Sequence, residues 1–203
     1  MKGAHTRQVV LASANAGKLA EFDKMLLALN INMRPQSEFN VSAVAETGLT
    51  FVENALLKAH HAAEITHLPV IADDSGLEVD ALNGQPGIYS ARYAGDHASD
   101  AANNKKLLFE LRHTPANQRT ARFWCILVYL RHKDDPTPII CQGSWEGMIV
   151  DTPRGLRGFG YDPLFFVPSE HCTSAELSPM TKNRLSHRAQ AISKLAKRLK
   201  THC

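Results

Sequence analysis

Leu68-Pro69-Val70-Ile71-Ala72-Asp73-Asp74-Ser75-Gly76 runs from a helix stop through a short apolar strand into two adjacent carboxylates. The apolar run reads as a buried strand and Asp73 to Gly76 as an acidic turn that ends it. Upstream, Thr50-Phe51-Val52-Glu53 has the form of a capping box, and Val52, Ala55, Leu56, Ala59 and Ala63 continue one apolar face, which predicts a helix to about His67. Further back, Val9 to Ala12 is a strand and Ser13 to Lys18 a tight loop. Phe22, Met25, Leu26 and Leu29 then repeat at helical spacing.

Downstream, Asn83-Gly84-Gln85-Pro86-Gly87 supplies turn chemistry, and Ser99 or Asp100 caps a helix carrying Leu107, Leu108 and Leu111. Arg122 to Leu130 and Ile139 to Val150 read as long strands joined at Lys133-Asp134-Asp135-Pro136, a hairpin connection. Ile192, Leu195, Ala196 and Leu199 form the apolar stripe of a last helix, with Lys194, Lys197, Arg198 and Lys200 on its other faces. Helices interleaved with strands, then a long hairpin, predict an α/β fold with a mixed sheet rather than simple doubly wound topology. Residues 1–203 are expected to form a single domain.

The bulk properties narrow the function classes. The chain has 203 residues, 44% hydrophobic and 21% charged, which is ordinary globular composition. A net charge of +3 is too small for wholesale attraction to nucleic acid or to a membrane. No apolar stretch is long enough to span a bilayer, and residues 1–8 lack the apolar core of an export signal. The four cysteines have no C-x-x-C spacing, and Cys125 and Cys141 lie in apolar runs, so a reducing cytoplasm is expected. The histidines, His60-His61 included, have no zinc spacing.

Four segments carry chemistry. The loop Ser13-Ala14-Asn15-Ala16-Gly17-Lys18 between strand and helix offers backbone N–H groups, a helix dipole and a lysine to a phosphate. It is not a Walker A loop, because Leu19 stands where a Ser or Thr would hold Mg²⁺. Asp73 and Asp74 point to opposite faces of a strand, so one is a metal ligand and the other its support, and hard oxygen beside phosphate suits Mg²⁺. Gly155-Leu156-Arg157-Gly158-Phe159-Gly160-Tyr161-Asp162 combines glycines that allow close approach with aromatic faces that fit a nucleobase, or else is a glycine-rich hairpin with core aromatics, the commoner outcome for such a segment alone. Ser186-His187-Arg188 offers an imidazole and a guanidinium to a polar ligand, or else is a surface cap.

Taken together, these segments resemble the inosine/xanthosine triphosphate pyrophosphatase family. The likeness runs from Val9 to the final helix. It includes Glu46-Thr47-Gly48, Phe51-Val52-Glu53-Asn54-Ala55, Ala72-Asp73-Asp74-Ser75-Gly76-Leu77, Pro86-Gly87-Ile88-Tyr89-Ser90-Ala91-Arg92-Tyr93 and Gly158-Phe159-Gly160-Tyr161-Asp162-Pro163. The resemblance implies a two-lobed fold about a long curved sheet with a central substrate cleft, usually a homodimer. It also implies Mg²⁺-dependent hydrolysis of ITP, dITP or XTP to a nucleoside monophosphate and pyrophosphate.

By the family pattern Ser13, Ala14, Asn15, Ala16, Gly17 and Lys18 hold the phosphates, with Lys58 and Ser75 beside them. Glu46 and Asp74 hold metal, and Asp74 is the base for the attacking water. Phe159, Gly160, Tyr161, Asp162, Lys182, His187 and Arg188 surround base and sugar, with the Phe159 ring stacked on the purine. Two positions depart from the pattern: Ser13-Ala14 stands where Thr-Gly is commoner, and Ala189 where Gly is usual. Competing readings are a kinase or general NTPase acting at the γ-phosphate, and a nucleic-acid-binding module using the last helix.

Overall fold

The computed structural model describes residues 7–13, 18–19, 21–22 and 31–201. Its strands are β1 (Arg7–Ala12), β2 (Ile31–Pro35), β3 (Val70–Val79), β4 (Thr120–Leu130), β5 (Ile139–Ile149), β6 (Phe165–Val167) and β7 (Cys172–Thr173). Its helices are α1 (Phe51–Thr66), α2 (Asp100–Glu110), α3 (Pro179–Leu185) and α4 (His187–Thr201). The strands form one seven-stranded sheet in the order β2-β1-β3-β4-β5-β6-β7. β1 pairs in parallel with β2 and with β3, whereas β5–β6 and β6–β7 are antiparallel. The sheet is therefore mixed, as the alternation of helices and hairpin predicts.

Helix α1 begins where its capping box places it: Thr50 accepts the Glu53 N–H at 3.3 Å, and the chain leaves at His67 with φ 53°. It lies in the connection from β2 to β3, both parallel to β1, and supplies the crossover that parallel strands require. Ser99 caps α2 by accepting the Ala102 N–H at 3.2 Å. Neighbouring β4 and β5 are joined by residues 131–138, too short a link for a crossover, and Asp135 ties that link by accepting from the Arg131 N–H and side chain.

The chain divides into two compact units. The first comprises residues 1–74, 125–143 and 188–203. The end of β1, the start of β3 and the end of β4 are buried on both faces. On one face Ala191, Ile192, Leu195 and Leu199 of α4 pack on Val9, Leu11, Ile71, Cys125 and Leu127. On the other, Ala55, Ala59, Ala62 and Ala63 of α1 pack on Val10, Ala12, Val70, Ala72 and Val128. The alanine face lets α1 lie close to the strands, and residues 70–72 read as an unbroken apolar run because both sides are covered. The second unit, residues 75–124 and 144–187, has its own core of Leu77, Val79, Leu107, Phe123, Trp145, Leu164 and Phe165.

One expectation is overturned. Asp73-Asp74-Ser75-Gly76 is not a turn: β3 continues to Val79, because Leu77 and Val79 resume the apolar alternation and are fully buried. The turn comes later, at Asp80–Leu82, Asn83 and Gly84, the last two at φ 52° and 84°. β2, β6, β7 and α3 are too short to announce themselves by periodicity. Ala14 to Gly17, and Met25, Leu26 and Leu29 of the expected first helix, lie outside the described residues. Among the described residues no helix is long and apolar enough to cross a membrane.

Candidate functional site

Strand alternation separates the two carboxylates. Ile71 faces α4 and Ala72 faces α1, so Asp73 follows Ile71 and Asp74 follows Ala72. Asp73, with a wholly buried side chain, pairs with Lys18 Nζ at 2.7 Å. Burial alone raises its pKa, but the fields of Lys18, Arg188 and Lys58 outweigh that and hold it well below the usual carboxylate range. Arg188, in the first turn of α4 and only 2% exposed, is itself ion-paired with Glu21. A guanidinium and an ammonium thus converge on one side of β3.

On the other side, Lys58 of α1 donates to Asp74 Oδ1 at 2.9 Å and to Glu46 Oε1 at 2.8 Å. Burial works to deprotonate Lys58, but Asp74, Asp73 and Glu46 prevail and its pKa stands above the ordinary lysine value. Asp74 titrates above the usual range because burial outweighs the stabilising Lys58 charge. Its second oxygen, Oδ2, is buried with no hydrogen-bond partner among the described residues.

Glu46 is held in place by the start of α1. Asn54 Oδ1 accepts the Gly48 N–H at 2.8 Å, and the Glu53 carboxylate accepts the Leu49 N–H at 2.8 Å. A Cβ at Gly48 would lie 2.6 Å from that of Glu53, so only glycine lets the loop come this close. The capping box therefore does more than start a helix: it fixes the segment that brings Glu46 to Lys58.

Two carboxylates with an unpartnered buried oxygen suit Mg²⁺, which retains waters and takes few protein carboxylates. Among the described residues no cluster of three or more His, Cys, Asp or Glu side chains forms a fuller cage. The donor set fits a hydrated hard cation.

In the second unit, Asp162 organises the glycine-rich loop. Its carboxylate accepts from the Phe159 N–H at 2.9 Å, the Ser174 hydroxyl at 2.7 Å and Lys182 Nζ at 2.6 Å. Lys182 Nζ also lies 5.2 Å from the centre of the half-buried Phe159 ring. Gly160 donates to Asp100 and accepts from Asn104 of α2, at 2.6 and 2.9 Å. The Tyr161 hydroxyl donates to the Ser90 carbonyl at 2.8 Å, and burial pushes its pKa up. His187 stacks on Phe123 with ring centres 4.9 Å apart.

The expected site residues thus fall into two sets. Lys18, Glu46, Lys58, Asp74 and Arg188 lie in the first unit with the half-buried Ser13. Ser75, Phe159, Gly160, Tyr161, Asp162, Lys182 and His187 lie in the second. Ser186, His187 and Arg188 are all buried, which rules out a surface cap. Tyr161 and Asp162 are committed to holding the loop. Glu21, Asp100 and Ser174 are positioning residues that the reading of motifs passed over. Only Glu21 left a signal, three residues after Lys18 and so on the same helical face.

Residues 9–198 match the Ham1 family. The chain is 59% identical to the dITP/XTP pyrophosphatase of Vibrio cholerae, over 94% of this chain and 96% of that protein. It is 61% identical to the dITP/XTP pyrophosphatase of Shewanella oneidensis, over 93% and 92%. The solved structure of a HAM1 protein from Coxiella burnetii superposes with a TM-score of 0.90 at 50% identity, covering 96% of this chain and 99% of that one. With the match spanning the strands, both carboxylates and the last helix, the chain belongs to the Ham1 family.

Proposed function

We propose that this protein hydrolyses deaminated purine nucleoside triphosphates (ITP, dITP and XTP) to the monophosphate and pyrophosphate, with Mg²⁺ as cofactor. The observation that carries the reading is the Glu46–Lys58–Asp74 cluster, in which a buried Asp74 oxygen lacks a hydrogen-bond partner among the described residues. The names of relatives at 59% and 61% identity point the same way.

Glu46 and Asp74 would hold the metal, which when bound offsets negative charge on the phosphates. Asp74, its basicity raised by burial, accepts a proton from water as the oxygen adds to the α-phosphorus. The bond from that phosphorus to the bridging oxygen of the β-phosphate breaks, and pyrophosphate leaves with the bonding pair. Lys58 and Lys18 stabilise charge on the non-bridging oxygens, together with amides of the Ser13 to Lys18 loop. Asp73 keeps Lys18 oriented.

Phe159 offers the face on which a purine stacks, and Lys182 and Asp162 hold that ring's loop. A 6-oxo purine presents an acceptor where adenine presents an amino donor, so donors from Arg188 and the His187 backbone favour hypoxanthine and xanthine. Cys125 and Cys141 are free, buried thiols, which accords with a cytoplasmic enzyme.

The deciding experiment incubates the protein with ITP, XTP, GTP and ATP, with and without Mg²⁺, and identifies the products. Pyrophosphate from ITP and XTP, only with Mg²⁺, is the expected outcome. Orthophosphate as the first product would instead favour γ-phosphate chemistry.

A further inference from the structure

Both carboxylates assigned to the metal already carry a cation of the protein's own. Lys58 Nζ lies 2.8 Å from Glu46 Oε1 and 2.9 Å from Asp74 Oδ1, with a side chain 16% exposed. A divalent ion on these oxygens needs contacts of about 2.0–2.1 Å if it is Mg²⁺, and would sit beside the ammonium with too little intervening solvent to screen the repulsion. The flexible lysine stem lets the head group swing away, but only if another anion receives it. Asp73, which projects from the opposite face of β3, already pairs with Lys18. A nucleoside triphosphate brings such an anion.

We propose that Lys58 is an internal counter-cation that competes with the metal, so the free protein binds divalent ions weakly and takes up metal and triphosphate as one cooperative event. The triphosphate receives the ammonium and the metal receives the carboxylates. Once product has left, Lys58 would return to Glu46 and Asp74. The inference rests on the assignment of Glu46 and Asp74 as metal ligands under the proposed function. It concerns what those ligands do before substrate arrives.

The test measures Mn²⁺ affinity of the full-length protein by calorimetry and by the electron paramagnetic resonance of free Mn²⁺. It compares wild type, Lys58→Met, Lys58→Arg and Asp74→Asn, each with and without a triphosphate whose α–β bridge is methylene. Lys58→Met is expected to bind Mn²⁺ alone at least about tenfold more tightly than wild type, whereas Lys58→Arg, which keeps the charge, stays weak. The analogue should tighten Mn²⁺ binding strongly in wild type and much less in Lys58→Met, since coupling between two ligands is reciprocal and here passes through the lysine. A thermal shift provides the second reading: Mn²⁺ should raise the Tm of Lys58→Met more than that of wild type, which also verifies that the variant folds.

Equal or weaker Mn²⁺ binding by folded Lys58→Met, with binding lost in Asp74→Asn, overturns the counter-cation inference and leaves the metal site standing. Mn²⁺ binding unaffected by Asp74→Asn removes the metal assignment itself and the inference with it.

Discussion

Lys18 Nζ and Asp73 Oδ2 form a 2.7 Å ion pair in which the carboxylate side chain is wholly buried. The pair lies on the α4 side of β3, with Arg188 close enough to add to the field. Asp73 is thus a buried anion that orients Lys18, the lysine proposed to meet the phosphates.

Replacing Asp73 with Asn should therefore cost about 3–5 kcal/mol, because it leaves buried positive charge uncompensated. The pH dependence has a definite sign. The folded-state pKa lies below the unfolded value, so the stabilisation is complete above the ordinary carboxylate pKa and is lost as pH falls through the folded value. Urea unfolding of wild type and D73N should differ most near neutrality and converge as the pH drops below ~4. A gap that persists unchanged in acid would show that lost packing, not lost charge, is responsible.

Asp74→Asn should behave in the opposite way. Burial raises the Asp74 pKa, so its ionised form is held in the fold at a cost that Lys58 only partly offsets. The variant should keep a near-normal Tm while kcat for ITP falls by about 10²–10⁴-fold. Near-normal turnover in a folded D74N protein would remove Asp74 from the chemistry.

Arg188→Ala should do two things at once. Loss of its donors should narrow the preference for ITP over ATP by at least about tenfold. Because Arg188 is buried against Glu21 and Asp73, the change should also lower stability by about 3–5 kcal/mol. Measuring kcat/KM for both nucleotides at a temperature where the variant is fully folded separates the effects, and an unchanged ITP-to-ATP ratio would exclude the specificity role.

Gly158→Ala should be far more damaging than Gly84→Ala, although both glycines have φ near 80°. A Cβ at Gly158 would lie 2.0 Å from Asp162 Oδ2, whereas at Gly84 nothing lies within 4 Å. Backbone strain alone predicts a cost of roughly 1 kcal/mol at Gly84. At Gly158 the carboxylate that holds Phe159 and Lys182 must move as well, so KM for ITP should rise several-fold. Comparable Tm losses in the two variants would contradict this account of the loop.

The capping box at Thr50, the apolar stripe of α4 and the β4–β5 pair were legible because each depends on local periodicity or on a side chain bonding its own helix start. The end of β3 was not. Ser75 and Gly76 carry turn propensity, and what keeps the strand running is the burial of Leu77 and Val79 in a core whose other members come from distant segments. Likewise, Ser186-His187-Arg188 taken alone reads as a surface cap, and its burial depends on residues remote in sequence, Glu21 for Arg188 and Phe123 for His187.

Sequence alone determined that this is an α/β chain with adjacent carboxylates of opposite orientation on one strand, since alternation along a strand is a property of the backbone. Only the tertiary structure decided which cations meet each carboxylate. Lys18 and Arg188 meet Asp73, while Lys58 joins Asp74 to Glu46. Charges and desolvation act through space, so the opposite pKa shifts of the two carboxylates depend on which cation stands on each side of β3.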